Sequence, residues 1–138
     1  MPEAIPHIRE LIPHEPPMVL IDHITQLDQN HVCGETTLSP GSLDANGHGV
    51  PAAWSLEIVA QACAALIGHC HRHQGFRGGR LIKSTRWELN AQHLPTEQLL
   101  TVKASLDAAS ELGVFMFNGA LHAGSIQLAA GQLTILAK

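Results

Sequence analysis

The residues best suited to chemistry are Glu57 and Gln61, which interrupt one apolar segment, AAWSLEIVAQACAALIG. Residues four apart in a helix lie on one face, one above the other, so a helix here places Gln61 beside the Glu57 carboxylate. A carboxylate in apolar surroundings is costly to bury unless it is hydrogen-bonded, and such surroundings suit a general acid or base. We therefore predict that Glu57 is catalytic and that Gln61 orients it. The alternative is that Glu57 lies on an exposed stripe or at a dimer seam.

The turn before that segment is a second candidate, because glycines flank His48 in Asn46-Gly47-His48-Gly49-Val50-Pro51. Glycines let the backbone approach a ligand closely, and the N–H groups at a helix start can polarise a carbonyl oxygen. A histidine here can accept a proton near neutral pH. We therefore predict His48 as a catalytic residue; the alternative is an exposed loop residue. The predicted substrate-binding residues are Gly49, Val50, Pro51, Ala52 and Gln61.

A histidine-rich stretch, His69-Cys70-His71-Arg72-His73, raises the question of a metal site. His69 and His73 have the i, i+4 spacing that can hold a metal on a helix, but no third ligand is evident nearby. Histidines at a helix C-terminus also interact favourably with the helix dipole. We therefore predict no metal site and no other cofactor.

The elements that must position these residues follow from the hydrophobic pattern. Pro51 suits a first helical turn, and the apolar run to about His73 predicts one helix buried on all sides. Residues 4–12 predict a short amphipathic helix that Pro13 ends. Alternating or apolar runs predict strands at 18–28, 31–38, 80–90, 98–109, 113–122 and 125–137, the first two joined by a turn at residues 28–30.

One long buried helix among about six strands predicts an α+β fold, in which an antiparallel sheet wraps around the helix. This arrangement is the hot-dog architecture. The chain of 138 residues is the usual size of one domain, so we predict a single domain over residues 1–138. Only 14% of residues are charged, and a weakly charged apolar domain often hides surface in an oligomer, so we expect a dimer.

Charge and cysteine content indicate which classes of partner and which cellular compartment the protein favours. A net charge of −4 argues against nucleic-acid binding, and the apolar run broken by Glu57 and Gln61 argues against a membrane span. Five of the eight basic residues lie within residues 72–86, a distribution that fits either a docking patch for an acidic partner or a solvated face. Cys63 and Cys70 lie too far apart along one helix for a disulfide, and no signal peptide is visible, so we expect a cytoplasmic protein.

Three segments carry a resemblance to a known family. LIPHEPPMVLIDHI (11–24) and VPAAWSLEIVAQACA (50–64) resemble the N-terminal segment and central helix of the 3-hydroxyacyl-acyl-carrier-protein dehydratases of the FabZ type. LIKSTRWELNAQHLP (81–95) is closer to a divergent branch, the ApeP-like dehydratases of aryl polyene and related gene clusters. The resemblance covers nearly the whole chain, about residues 8–137.

The resemblance implies dehydration of (3R)-3-hydroxyacyl thioesters held on acyl carrier protein. In that family a histidine removes the α-proton, and the helix carboxyl, here Glu57, protonates the departing hydroxyl. Helix-start N–H groups hold the thioester oxygen, and the acyl chain lies in a tunnel at a dimer interface where the two residues come from opposite subunits. The ungapped match to the family histidine is Leu43, whereas deleting five loop residues aligns His48 instead.

The resemblance also implies partners, and two other functions stay open. Acyl carrier proteins are acidic, so the predicted partner-binding residues are Arg77, Arg80, Lys83 and Arg86. The second subunit is either a copy of this chain or another hot-dog chain. The alternatives are a hot-dog thioesterase, which needs a helix carboxylate but no histidine, and a non-catalytic hot-dog subunit, which the leucine at position 43 favours.

Overall fold

The computed structural model describes residues 5, 7, 19–40 and 49–138. Within these ranges the chain forms eight strands and one α-helix, with a short 3₁₀ turn after the helix. Of the predicted helix at 4–12 only residues 5 and 7 are described, and the loop residues Leu43 and His48 lie outside the described residues. In chain order the elements are β1 (His23–Leu27), β2 (His31–Thr37), β3 (Val50–Pro51), α1 (Trp54–Cys70), the 3₁₀ turn (Arg72–Gln74), β4 (Gly79–Leu89), β5 (His93–Leu94), β6 (Leu99–Ala109), β7 (Val114–Ala123) and β8 (Ile126–Ala137).

Six strands form one antiparallel sheet in the order β1-β2-β6-β7-β8-β4, while β3 and β5 form a separate two-stranded pair. The first hairpin turns where the sequence predicts it. The Asp28 carboxylate accepts hydrogen bonds of 2.8 Å from the backbone N–H groups of Asn30 and His31. These donors, with that of Asn30 foremost, lower the pKa of the Asp28 carboxyl.

Helix α1 lies against the sheet and is buried through most of its length. Every residue from Ile58 to Gly68 is buried, as the uninterrupted apolar pattern predicts. The helix contacts β2, β4, β6, β7 and β8, whose inward-facing side chains include Phe115 and Phe117. This is the hot-dog architecture: one helix enclosed by an antiparallel sheet.

The helix begins and ends inside the predicted limits. Pro51 was predicted in the first helical turn, but it lies in the short strand β3, and the helix starts three residues later at Trp54. The helix ends at Cys70, so His69 and His73 do not share one α-helix as their spacing suggested. The N-cap residue is Ala53, and no side-chain cap bond forms there. Pairing of β3 with β5 determines the backbone path before the N-terminus of α1. Local helix propensity does not predict such a pairing, so the helix boundary could not be placed from it.

The helix packs closely against the sheet at Gly119 of β7. A Cβ added at Gly119 would collide with the Val59 side chain and would lie 3.1 Å from Leu133 Cδ1. Val59 is fully buried in α1, so the glycine lets helix and sheet pack without a gap. Among the described elements, no helix is long and apolar enough to cross a membrane.

We predict that Gly119→Ala lowers the free energy of unfolding by about 1–3 kcal/mol, because the added methyl overpacks this contact. Chemical denaturation followed by circular dichroism measures the change. Asn118→Ala is the matched control, since Asn118 is the exposed neighbour on the other face of β7 and should change stability by less than about 0.5 kcal/mol. Equal stability of the two variants would contradict the packing argument.

Candidate active site

The centre of the candidate site is a hydrogen-bonded pair on α1, Glu57 and Gln61. The Gln61 amide nitrogen Nε2 donates to Glu57 Oε1 at 3.2 Å, which is the i, i+4 hydrogen bond expected from the spacing. Gln61 is buried, whereas Glu57 is only partly buried. The carboxyl group is thus held from within the helix and reaches its outer side.

The Gln61 amide is itself fixed by the backbone of an earlier segment. Its oxygen Oε1 accepts the backbone N–H of Leu20 at 2.8 Å. Since only the amide oxygen can accept, the Nε2 group must point the other way, toward Glu57. The hydroxyl of Thr36 donates to the Leu20 carbonyl at 2.5 Å, which ties this segment to β2. The orientation of the Glu57–Gln61 pair therefore depends on residues far away in the chain.

Glu57 opens into a cavity of about 510 Å³. This volume lies in the range of small-molecule sites. Two basic residues, Arg80 at the start of β4 and Lys138, also line it. The lining residues are Glu57, Ala60, Gln61, Gly79, Arg80, Leu81 and Lys138. The cavity therefore combines a carboxyl group with cationic groups that can attract an anionic ligand.

The residues predicted at the helix start lie at a different cavity. Pro51 and Ala52 line a groove of about 610 Å³ together with Leu89, at the end of β4, and residues 90–92, which connect β4 to β5. Val50 is fully buried and pairs with Leu94. Of the predicted substrate-binding residues, only Gln61 lines the Glu57 cavity, whereas Pro51 and Ala52 line the second groove. The predicted set is therefore divided between two places.

The backbone N–H of Ala52, predicted to help hold a carbonyl oxygen, is already occupied. It donates to the Gln92 carbonyl oxygen at 3.0 Å. The N–H groups of Ser55 and Leu56 donate to the carbonyls of Ala52 and Ala53. In this conformation the Ala52 N–H is therefore bonded to Gln92, close to the β3–β5 pair, and the assignment of Ala52 to substrate binding stays a prediction.

A histidine that the sequence analysis did not single out lies beside the predicted loop. The His93 ring packs against Gly49, so that a Cβ added at Gly49 would lie 3.4 Å from ring carbon Cδ2. Gly49 has φ of 99°, in the left-handed region that favours glycine. His93 is exposed and pairs with Pro51 across the β3–β5 ladder. No sequence signal marked His93, because its proximity to Gly49 depends on a strand pair of two residues each.

The basic residues predicted to bind a partner are exposed on and just before β4, at one edge of the sheet. Arg80 lines the Glu57 cavity, whereas Lys83 and Arg86 lie further along the strand and Arg77 precedes it. Among the described residues, no group of three or more His, Cys, Asp or Glu side chains is arranged to hold a metal ion.

Several solved structures share this fold. The dehydratase heterocomplex ApeI:P from Xenorhabdus doucetiae matches with a TM-score of 0.83 and 23% identity, covering 96% of this chain and 91% of that chain. Cj0977, a sigma28-regulated virulence protein from Campylobacter jejuni, matches with a TM-score of 0.72 and 15% identity over 95% and 87% of the two chains. A hypothetical thioesterase with coenzyme A from Streptococcus pneumoniae matches with a TM-score of 0.56 and 15% identity over 84% of each chain. At these identities the likeness establishes the fold alone.

The comparison with protein families is more specific than the comparison of folds. No curated protein matches the chain. The ApeP-like family, described as ApeP dehydratase, matches residues 6–138, which include Glu57, Gln61 and the whole described sheet. This chain therefore belongs to the ApeP-like dehydratase family.

Proposed function

We propose that this chain dehydrates (3R)-3-hydroxyacyl thioesters, carried on acyl carrier protein, to trans-2-enoyl thioesters. The observation that carries the proposal is the Glu57 carboxyl group, which Gln61 holds at the wall of a 510 Å³ cavity in a chain of a dehydratase family. The pathway supplied, fatty-acid-like or aryl polyene synthesis, follows from the family resemblance. The three free cysteines suit a reducing compartment, so we place the reaction in the cytoplasm.

The reaction needs two proton transfers and a stabilised oxygen. A base removes a proton from C2, and negative charge develops on the thioester oxygen. The C3–O bond then breaks as Glu57, in its acid form, gives a proton to the hydroxyl, which leaves as water. Gln61 keeps the carboxyl group aimed at C3. The segment that begins at Gly49 does not line the Glu57 cavity, so in this proposal it holds the thioester end of a substrate that reacts at the carboxyl group of a second subunit.

An imidazole is the natural base for the first step, and two histidines are candidates. His48 follows from the family resemblance, while His93 lies against Gly49. We assign the role of base to His48, and we test His93 as the alternative base. In the proposed assembly, a second hot-dog subunit brings its histidine to Glu57 and receives this chain's histidine in return. That subunit is another copy or a different chain, and the dehydratase heterocomplex ApeI:P from Xenorhabdus doucetiae supports the second possibility.

We predict that Glu57→Gln lowers the dehydration rate by about 10²–10⁴-fold, because the amide cannot donate the proton that the leaving hydroxyl needs. Intact-mass spectrometry of a 3-hydroxyacyl carrier protein, incubated with purified enzyme, measures the loss of water. Circular dichroism must show the same fold for the variant and the native protein. Unchanged turnover in the variant would overturn the assignment of Glu57.

His48→Ala and His93→Ala are run in the same assay, and the proposal expects loss of activity in the first alone. Loss in His93→Ala alone would move the base to β5. Release of free carrier thiol without dehydration would identify a thioesterase, the other activity that hot-dog domains support. A native protein that acts only after a second hot-dog subunit is added, and for which Glu57→Gln makes no difference, would be a non-catalytic subunit.

The basic residues of β4 generate a separate prediction about the carrier. Lys83→Glu should raise KM for carrier-bound substrate by about tenfold at low salt, because it opposes the attraction of an acidic partner. The effect should shrink at high salt and vanish for a pantetheine thioester that lacks the carrier. Steady-state kinetics at two ionic strengths provides the measurement.

Lys103→Glu is the matched control for this charge change. Lys103 is also exposed, but it lies on β6, which β7 and β8 separate from β4. The control should leave KM unchanged for both substrates. If Lys83→Glu raised KM equally with and without the carrier, the β4 cluster would act on the acyl chain or on folding, and the docking role would be wrong.

A further inference from the structure

An irregularity in β4 lies directly opposite Gly131 of β8. Thr85 pairs with Gln132 and Glu88 pairs with Ala130, so that both Arg86 and Trp87 face the single residue Gly131. Two residues opposite one define a β-bulge, which bends a strand and re-aims its side chains. Arg86 adopts φ of 56°, a left-handed conformation that is rare for a residue with a side chain.

Gly131 is the residue that permits this bulge. A Cβ added there would lie 2.7 Å from both the Arg86 carbonyl oxygen and the Trp87 Cα atom. Such distances are far inside van der Waals contact, and both atoms belong to the backbone, so neither could move aside independently. The glycine of β8 therefore determines the path of β4 at Trp87.

The bulge brings Trp87 to the first turn of α1. The indole nitrogen Nε1 donates a hydrogen bond of 3.2 Å to the hydroxyl oxygen of Ser55, across 32 residues of sequence. Ser55 is fully buried, and the half-buried indole packs against the hydrophobic core. The buried hydroxyl oxygen thus accepts the hydrogen bond that the indole N–H needs when it is withdrawn from water.

This hydrogen bond holds a helix start that has no side-chain cap. The N-cap residue is Ala53, whose methyl group cannot accept a hydrogen bond. Ser55 and Glu57 are two residues apart, so they point about 200° away from each other around the helix axis. Fixing Ser55 on the sheet side therefore fixes the direction in which Glu57 leaves the helix on the cavity side.

We propose that Trp87 is a positioning residue for Glu57, acting through Ser55 on the first turn of α1. Gln61 fixes the carboxyl end of Glu57, and Trp87 fixes the backbone from which that side chain leaves. The position of the Glu57 backbone and the direction of its carboxyl group therefore depend on Trp87 and Gln61 together. The inference rests on the proposed function of Glu57, but the anchoring of the helix start can be measured without it.

The substitution that tests the proposal is Trp87→Phe, which keeps an aromatic ring and removes the N–H donor. We expect kcat for dehydration to fall about tenfold with KM unchanged, because a misdirected acid slows chemistry without weakening binding. Ser55→Ala should have a similar effect, and the double variant should be no slower than either single variant. Such non-additivity identifies the pair as one unit.

Trp54→Phe is the matched control, because Trp54 is the chain's other tryptophan and is also half-buried at the helix start. Its indole makes no hydrogen bond within the part of the chain that the structure describes. Amide hydrogen exchange of Ser55 and Leu56, measured by mass spectrometry on the full chain, should accelerate in Trp87→Phe and stay unchanged in Trp54→Phe.

The two measurements separate the failure of this inference from failure of the proposed function. If the native protein dehydrates no substrate, the proposed function fails, and exchange at the first turn alone decides whether Trp87 anchors it. Faster exchange throughout the sheet, with a lowered Tm and no split between kcat and KM, would overturn the positioning role in favour of general packing. Native rates of both exchange and turnover in Trp87→Phe would also overturn it.

Discussion

The structure depends on one requirement: polar groups carried by a helix buried along most of its length must be satisfied by the protein itself. Gln61 is 1% exposed and therefore has almost no access to water. Its amide satisfies the backbone N–H of Leu20 on one side and holds Glu57 on the other. Because a buried donor or acceptor left without a partner costs about 1–3 kcal/mol, the same bonds that stabilise the fold also prevent the amide from turning away from Glu57.

The large elements of the fold could be predicted because each has a period that side-chain types reveal. The helix is apolar on every face, and the long strands alternate, so the predicted limits of β6, β7 and β8 agree with the structure within a residue or two. Strands β3 and β5 could not be predicted, since two residues show no period. Their pairing moved Pro51 out of the helix and occupied the Ala52 N–H, which local propensity does not reveal.

The candidate site was predictable only where its geometry is local. Glu57 and Gln61 are four residues apart, and helical geometry alone brings them together. The groups that complete the site come from distant segments: Leu20 fixes Gln61, Arg80 and Lys138 line the cavity, and Trp87 reaches Ser55. Bonds across tens of residues depend on strand order, which residue types do not reveal, and on the bulge opposite Gly131. The glycine indicates a bulge or close approach but does not identify the residues of β4 that face it.

The bulge at Arg86 and Trp87 also affects how related sequences should be compared. Strand β4 contains two such irregularities, near Ile82 and near Arg86, and each adds one residue relative to β8. Each extra residue reverses which alternate positions of β4 face inward. Between the two irregularities the alternation is therefore reversed, and after the second it is restored. A relative that is one residue shorter here could align over the rest of its length and still carry its tryptophan on the opposite face of the sheet. Gap placement between Leu81 and Glu88 thus determines whether an aligned tryptophan is structurally equivalent to Trp87.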